Sequence, residues 1–339
     1  MSKAVLATYV WIDIDGSLRS KIKVLKKGIE SVKDAPEWNV GATSTELIVD
    51  RSSDILLKPQ RLYTDPFRGK PHVLVFCDCW IDQKKSSHFN SRSKLKEVVD
   101  ANKLDNYKIK VDQQFIIFDR MTEKPFGWIG IKDAAFKDNT YYCGTGGHKA
   151  FGQRIVEKHA ELCIEAGVGL LAYSAERMPG MWRFELEEMK AMKALDDWAV
   201  AKYILCLLTE KHNVYASFDP TPYNGEKVGP HLIINLSNTI EPKSLASRLG
   251  QSINVQDIND EHVKITIKDG CDIIYGLATT TTAESLSETT TEDYVEERVC
   301  KPDSANEKPI KLAQCAFNIN NGVNAHLLMA ESAPAVTTS

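Results

Sequence analysis

The most regular pattern of apolar and polar positions lies between Thr140 and Phe184. Ala150, Ile155, Val156, His159, Leu162 and Cys163 recur at three- and four-residue steps, with Lys, Glu and Gln on the other face. That period predicts an amphipathic helix, and Gly167 predicts its end. Gly169 to Ala172 is an apolar run of strand length, and Ser174-Ala175-Glu176 brings a carboxylate to its end. A glutamate there, followed by Met178-Pro179-Gly180 and Trp182, reads as the wall of a site rather than core filler.

Upstream, alternation from Ala4 to Ile14, the turn pair Asp15-Gly16, and Leu18, Ile22, Val24 and Leu25 predict a hairpin over residues 5–25. A loop begins at Ala35 and ends near Asp54. Ile55-Leu56-Leu57 follows as a short strand closed by Lys58-Pro59, and Val73 to Cys77 reads as a buried strand. Ser91 to Asn102 is a helix, and Leu104 to Tyr107 a linker into the second half. There Ile109, Val111, Phe115 and Ile117 form one face of a strand, while Asp112 and Gln114 share the other. Two polar residues facing together fit either an edge strand with one wet face or the floor of a site. Ala194 to Lys211 is a second helix, burying Leu195, Trp198, Ala199, Tyr203, Leu205 and Leu208. Val214 to Phe218 and Leu232 to Leu236 read as strands joined by a Pro/Gly-rich turn from Asp219 to Pro230. Val263 to Ile267 and Asp272 to Tyr275 suit a hairpin around Asp269-Gly270. Thr279 to Thr291 is a Thr/Ser/Glu-rich loop, and Ala330 to Ser339 has the composition of a loose tail.

Composition narrows the function classes. The 339 residues include 42 basic and 46 acidic side chains, a formal charge of −4, so no basic excess points to nucleic acid. No apolar stretch is long enough to span a membrane, and MSKAVLATYVW lacks the pattern of a signal peptide. Of eight cysteines only Cys77 and Cys79 are close together, and no second pair follows to complete a zinc site. They read as free thiols of a cytoplasmic chain.

Collinear blocks then carry a family resemblance. YVWIDIDGSLRSK (9–21), PEWN (36–39), SDILLKP (53–59), DPFR (65–68), FGW (126–128), YYCGTGG (141–147), the whole 140–184 stretch and SFDPTP (217–222) resemble glutamine synthetase of the eukaryotic type. The resemblance implies an α+β fold. Residues 1–103 would form a small N-terminal β-grasp-like domain. Residues 104–329 would form a larger catalytic domain, a curved antiparallel sheet flanked by helices, shortened between 238 and 295, and 330–339 a flexible tail. It also implies rings of subunits and an ATP-dependent ligation of glutamate and ammonia, assisted by Mg²⁺.

That chemistry makes demands on particular residues, because phosphoryl transfer rests on positioning and charge neutralisation by metal held by carboxylates. The family's three-glutamate metal position matches Gln114, Glu176 and Arg183. Gln is neutral, and Arg is a permanent cation in place of an anionic ligand. A +1/+2 pair about 4 Å apart at an effective dielectric near 20 repels by about 8 kcal/mol, so this metal site is expected to be lost and Mg²⁺ is called into question. A second metal position matches Asp112, a histidine and Glu296. The histidine is His231 with a short insertion in the alignment, or its place is taken by Ile233 without one.

Substrate positions depart as well. The family aspartate that binds ammonium matches Gly41, and the arginine-rich segments for glutamate and phosphate have no counterpart between Asn238 and Glu292. Around ATP, the matching positions are Trp128, Asn235, Ser237, Tyr294 and Arg298, with plain packing as the competing explanation for Trp128 and Tyr294. Gly144-Thr145-Gly146-Gly147 resembles a phosphate loop, yet the family uses it structurally. His148, His159 and His212 lack metal-pair spacing and read as structural or solvated. Three readings compete. One is a ligase-inactive structural or regulatory subunit, forming rings alone or with an active glutamine synthetase. The second is an active divergent ligase, and the third a nucleotide or metabolite sensor.

Overall fold

The computed structural model describes residues 4–13, 16–41, 54–87, 90–101, 108–128, 140–219, 230–235, 253–259 and 262–267. β1 (Val5–Ile12) and β2 (Leu18–Leu25) form the expected hairpin, with Val5 opposite Leu25 and Ile12 opposite Leu18. Gly16 turns it at φ 80, a left-handed conformation open to glycine at little cost. β3 (Trp38–Val40), β4 (Ile55–Thr64) and β5 (Val73–Trp80) complete a five-stranded sheet in the order β2-β1-β5-β4-β3, with β1 and β5 parallel. α1 (Ser91–Ala101) follows, started by Asn90, whose side-chain oxygen accepts the Ser93 N–H at 3.1 Å. This is the β-grasp-like arrangement.

Two strands here depart from the sequence reading. β4 does not close at Lys58-Pro59 but runs on to Thr64. Pro59 has no N–H to give to a ladder, and a register shift between Pro59 and Arg61 absorbs it, past the stretch where β3 flanks β4. β3 lies inside the segment read as loop, where the Trp38 ring packs edge-on against Tyr9 at 5.3 Å between centroids.

The second sheet is built around β6 (Lys108–Asp119). α2 (Gln153–Ala166) leads through Gly167, at φ 90, into β7 (Leu170–Ala175), as the apolar periodicity predicts. β8 (Met181–Leu186) and β9 (Met189–Lys190) pair with one side of β6. α3 (Ala191–Glu210) then returns to β10 (Val214–Ser217), which pairs with the C-terminal end of β6. β11 (Pro230–Asn235), β12 (Ile253–Asn259) and β13 (His262–Ile267) extend the sheet to eight strands, in the order β12-β13-β11-β6-β8-β7. The 263–267 segment was expected to pair with 272–275. Instead β13 lies between β12 and β11, so both of its edges are taken, and 272–275 falls outside the described residues.

One apolar cluster crosses between the sheets. It joins Val10, Phe76 and Leu95 to Phe115, Phe184, Trp198 and Leu205, each essentially buried. Beside it runs a buried polar clamp centred on α3. Asp196 accepts from Arg61 Nε at 2.8 Å and from Arg92 Nε at 2.7 Å, so β4 and α1 are held by one carboxylate. Burial alone would raise the Asp196 pKa, but the charges and hydrogen bonds of Arg92 and Arg61 hold it below its ordinary value. Asp197 accepts from Tyr63 Oη and from the Gly169 N–H, each at 2.8 Å, and pairs with Lys193. Trp198 Nε1 donates to Gln113 Oε1 at 2.7 Å, which fixes the core face of β6.

The cysteines and His159 sit where the sequence reading put them. Cys77 and Cys79 are free and buried. His159 is 1% exposed, and its Nε2 lies 2.9 Å from the Ala201 carbonyl oxygen. Burial lowers its pKa from 6.5 to about 4, with the Ala201 bond acting weakly the other way.

Two outcomes follow from these contacts. Asp196→Ala leaves the buried Arg92 with only its longer 3.4 Å contact to Asp78, so chemical denaturation will show a loss of about 3 kcal/mol. His159 stabilises the neutral fold above its unfolded value of 6.5, and that contribution is lost as pH falls through about 4. Between those limits His159→Gln will therefore lose less stability than the unaltered chain, by up to about 3 kcal/mol, in urea titrations at stepped pH.

Candidate functional site

Strand periodicity gives β6 two different faces. Ile109, Val111, Gln113 and Phe115 enter the core, while Lys110, Asp112 and Gln114 line the opposite face. Antiparallel register sets Asp112 opposite Glu185 and Gln114 opposite Arg183 on β8, and Arg183 in turn opposite Ser174 on β7. Directly opposed residues share a face. Glu176 reaches that face from the residue after β7, 7% exposed. The turn that carries it there depends on Gly180, at φ 69, because a Cβ would meet the Ile117 oxygen and the Phe126 nitrogen, each at 2.9 Å. The Glu176 N–H closes the turn on the Met181 carbonyl at 2.9 Å.

Gln114, Glu176 and Arg183 are thus brought together, although 69 residues separate the first from the last in the chain (183 − 114). Glu176 and Arg183 are part of an ion-pair chain. Arg183 Nε lies 3.1 Å from Glu176 Oε1 and 3.5 Å from Glu185 Oε1. Lys110 Nζ lies 2.7 Å from Glu185 Oε2 and 3.6 Å from Asp112 Oδ1. The order across the face is Glu176, Arg183, Glu185, Lys110, Asp112, with signs alternating. Burial tends to lower the Lys110 pKa, but its bond to Glu185 and the charges of Asp112 and Glu185 prevail and raise it. A divalent ion does not fit this face as built, because each carboxylate already faces an internal cation. Among the described residues, no group of three His, Cys, Asp or Glu side chains is disposed to hold a metal.

The remaining expected positions divide by what the structure describes. Register places His231 opposite Asp112 and Ile233 opposite Lys110, so both histidine alternatives lie on β11 beside β6. Asn235 ends β11, while Ser237, Tyr294, Glu296 and Arg298 lie outside the described residues. Gly41 is exposed directly after β3. Trp128 is 3% exposed and packs with Ile116, Phe118, Met178 and Met181, a cluster at the β10 end of β6.

Lys110 and Glu185 were absent from the sequence-based candidates. The alternation Lys110-x-Asp112 and Arg183-x-Glu185 places each pair on one face, but nothing in the sequence shows which residues oppose each other across strands.

Comparison with known proteins adds the following. No family model matches the chain. A glutamine synthetase of Debaryomyces hansenii is 34% identical over 233 residues, 69% of this chain and 62% of that protein. The chain therefore spans less than two thirds of that relative's length. A glutamine synthetase of Candida glabrata is 30% identical over 286 residues, 84% of this chain and 76% of that protein. Among solved structures, a Plasmodium falciparum glutamine synthetase superposes with a TM-score of 0.61 over 84% of this chain and 73% of that one, at 15% identity. That likeness is one of fold.

If the crowding of charge is what bars a metal, then Arg183→Glu combined with Gln114→Glu will raise Mg²⁺ affinity, read by titration calorimetry. A double variant that binds Mg²⁺ no better than the unaltered chain would show that these three positions do not form one cage.

Proposed function

The chain belongs to the glutamine synthetase family, and from that premise we propose that it is a member without glutamate–ammonia ligase activity, serving as a structural or regulatory subunit of an oligomer. The observation that carries the reading is Arg183, whose Nε stands 3.1 Å from Glu176 Oε1 where the family pattern calls for a third glutamate. Three carboxylates would supply −3 to a metal, whereas Gln114, Glu176 and Arg183 sum to zero (0 − 1 + 1). γ-Phosphoryl transfer from ATP needs Mg²⁺ to neutralise the phosphates, and ligands summing to zero hold it poorly. Gly41 also supplies no carboxylate to bind ammonium and take its proton. A single departure is open to compensation by a neighbour; loss of both functions at once is a heavier burden on any ligase mechanism.

With the chemistry set aside, assembly is the family property left to serve. Rings of this chain alone, or rings shared with an active glutamine synthetase, are both consistent with the apolar cluster that ties its two sheets into one unit. The names of the relatives favour a second reading, an active ATP-dependent ligase. One assay separates the two. Purified protein supplied with glutamate, ammonia, ATP and Mg²⁺ is expected to release phosphate no faster than Glu176→Ala does. Glutamine formation well above that control, abolished by Glu176→Ala, would overturn the proposal.

A further inference from the structure

We infer that Lys110 and Arg183 are built-in counter-cations of this sheet face, so that its three carboxylates are held together without any divalent ion. The inference rests on the reading of Arg183 given above and extends it to Lys110 and Glu185, which the family resemblance does not single out. Asp112 and Glu185 stand directly opposite each other on an antiparallel pair. Like charges in that position destabilise a sheet unless something stands between them. Lys110 lies two residues before Asp112 on the same face, and its ammonium reaches both carboxylates, at 3.6 Å and 2.7 Å. Arg183 lies two residues before Glu185 on β8 and bridges Glu185 to Glu176, at 3.5 Å and 3.1 Å.

The burial of these groups makes the arrangement consequential. The side chains of Asp112 and Glu176 are 6% and 9% exposed, so water screens them little. Lys110, Arg183 and Glu185 are 20–24% exposed, which leaves the two cations in contact with solvent at the mouth of the face. Among the described residues, three anions and two cations of this ion-pair chain leave a charge of −1 (2 − 3). A divalent ion entering here would meet at least one fixed cation against each carboxylate, so it must displace them to bind. Removing Lys110 alone changes that balance. It leaves Asp112 and Glu185 opposed without the ammonium that bridges them, and a divalent ion then becomes the natural replacement.

The test uses the full chain, with thermal unfolding in EDTA, Mg²⁺ or Mn²⁺ and with Mn²⁺ binding read from the electron-spin signal of the free ion. The unaltered chain is expected to show the same Tm in all three conditions and to deplete no free Mn²⁺. Lys110→Gln is expected to lose about 2 °C or more in EDTA, to recover it in Mn²⁺, and to deplete free Mn²⁺ under conditions where the unaltered chain depletes none. Lys110→Arg, which keeps the charge, is expected to stay indifferent to metal, as is Lys96→Gln, whose ion pair with Asp100 lies on the exposed side of α1. Mn²⁺ binding or a Tm gain in the unaltered chain would overturn the inference, as would a Lys110→Gln variant indifferent to Mn²⁺. If Lys110→Gln does not fold in EDTA, refolding with Mn²⁺ supports the inference, and failure to refold counts against it. Ligase turnover is measured separately, so an active but metal-indifferent chain would sink the functional proposal and leave this inference standing.

Discussion

Everything in the described structure hangs on three consecutive residues of α3. Asp196 holds Arg61 of β4 and Arg92 of α1, Asp197 holds Tyr63 of β4 and the backbone entering β7, and Trp198 holds Gln113 of β6. One turn of helix thus touches the first sheet, the first helix and, in the second sheet, β6 and the chain entering β7. Such buried pairs are not in themselves a strong source of net stability, since removing ions from water costs several kcal/mol apiece. Their effect is on geometry. A carboxylate with two guanidinium partners tolerates few arrangements, and the apolar cluster around it supplies the driving force that keeps those partners dry.

That clamp has a direct consequence for the opposite face of β6. Gln113 is fixed from the core side by Trp198, and its neighbours Asp112 and Gln114 must then face away. The strand accordingly presents one row of side chains to a rigid packing partner and the other to β8, β7 and the face where charges alternate. The scaffold of a catalytic sheet is present: a central strand, a carboxylate delivered at a strand end, and a glycine turn that only fits without a side chain. What differs is the sign of the groups standing on it.

The elements legible in the sequence are those whose signals are local. α2 announces itself by a 3.6-residue period and ends at Gly167, α3 by its apolar run, and β1 and β2 by alternation around Gly16. Where local signals misled, a tertiary partner explains it. Pro59 reads as a strand end, yet a register shift on a stretch that β3 does not flank accommodates it. Trp38 reads as loop, yet the ring of Tyr9 and the start of β4 hold it in a strand. The pairing of β13 depends on β12, a strand whose alternation, INVQDIN, changes phase at Gln256-Asp257, next to a register shift between Asp257 and Asn259.

The sequence alone determined which residue types were available to this face: a glutamine and an arginine at two of the three positions where the family resemblance implies carboxylates. It also determined the faces, since a period of two is a property of the extended chain itself. Only the tertiary structure decided the partners. Lys110 and Glu185 belong to strands 75 residues apart, and their 2.7 Å contact exists because the register of β6 against β8 is set by packing on the other side of the sheet. Coulomb interaction depends on distance, and distance across a sheet is not written in any one strand.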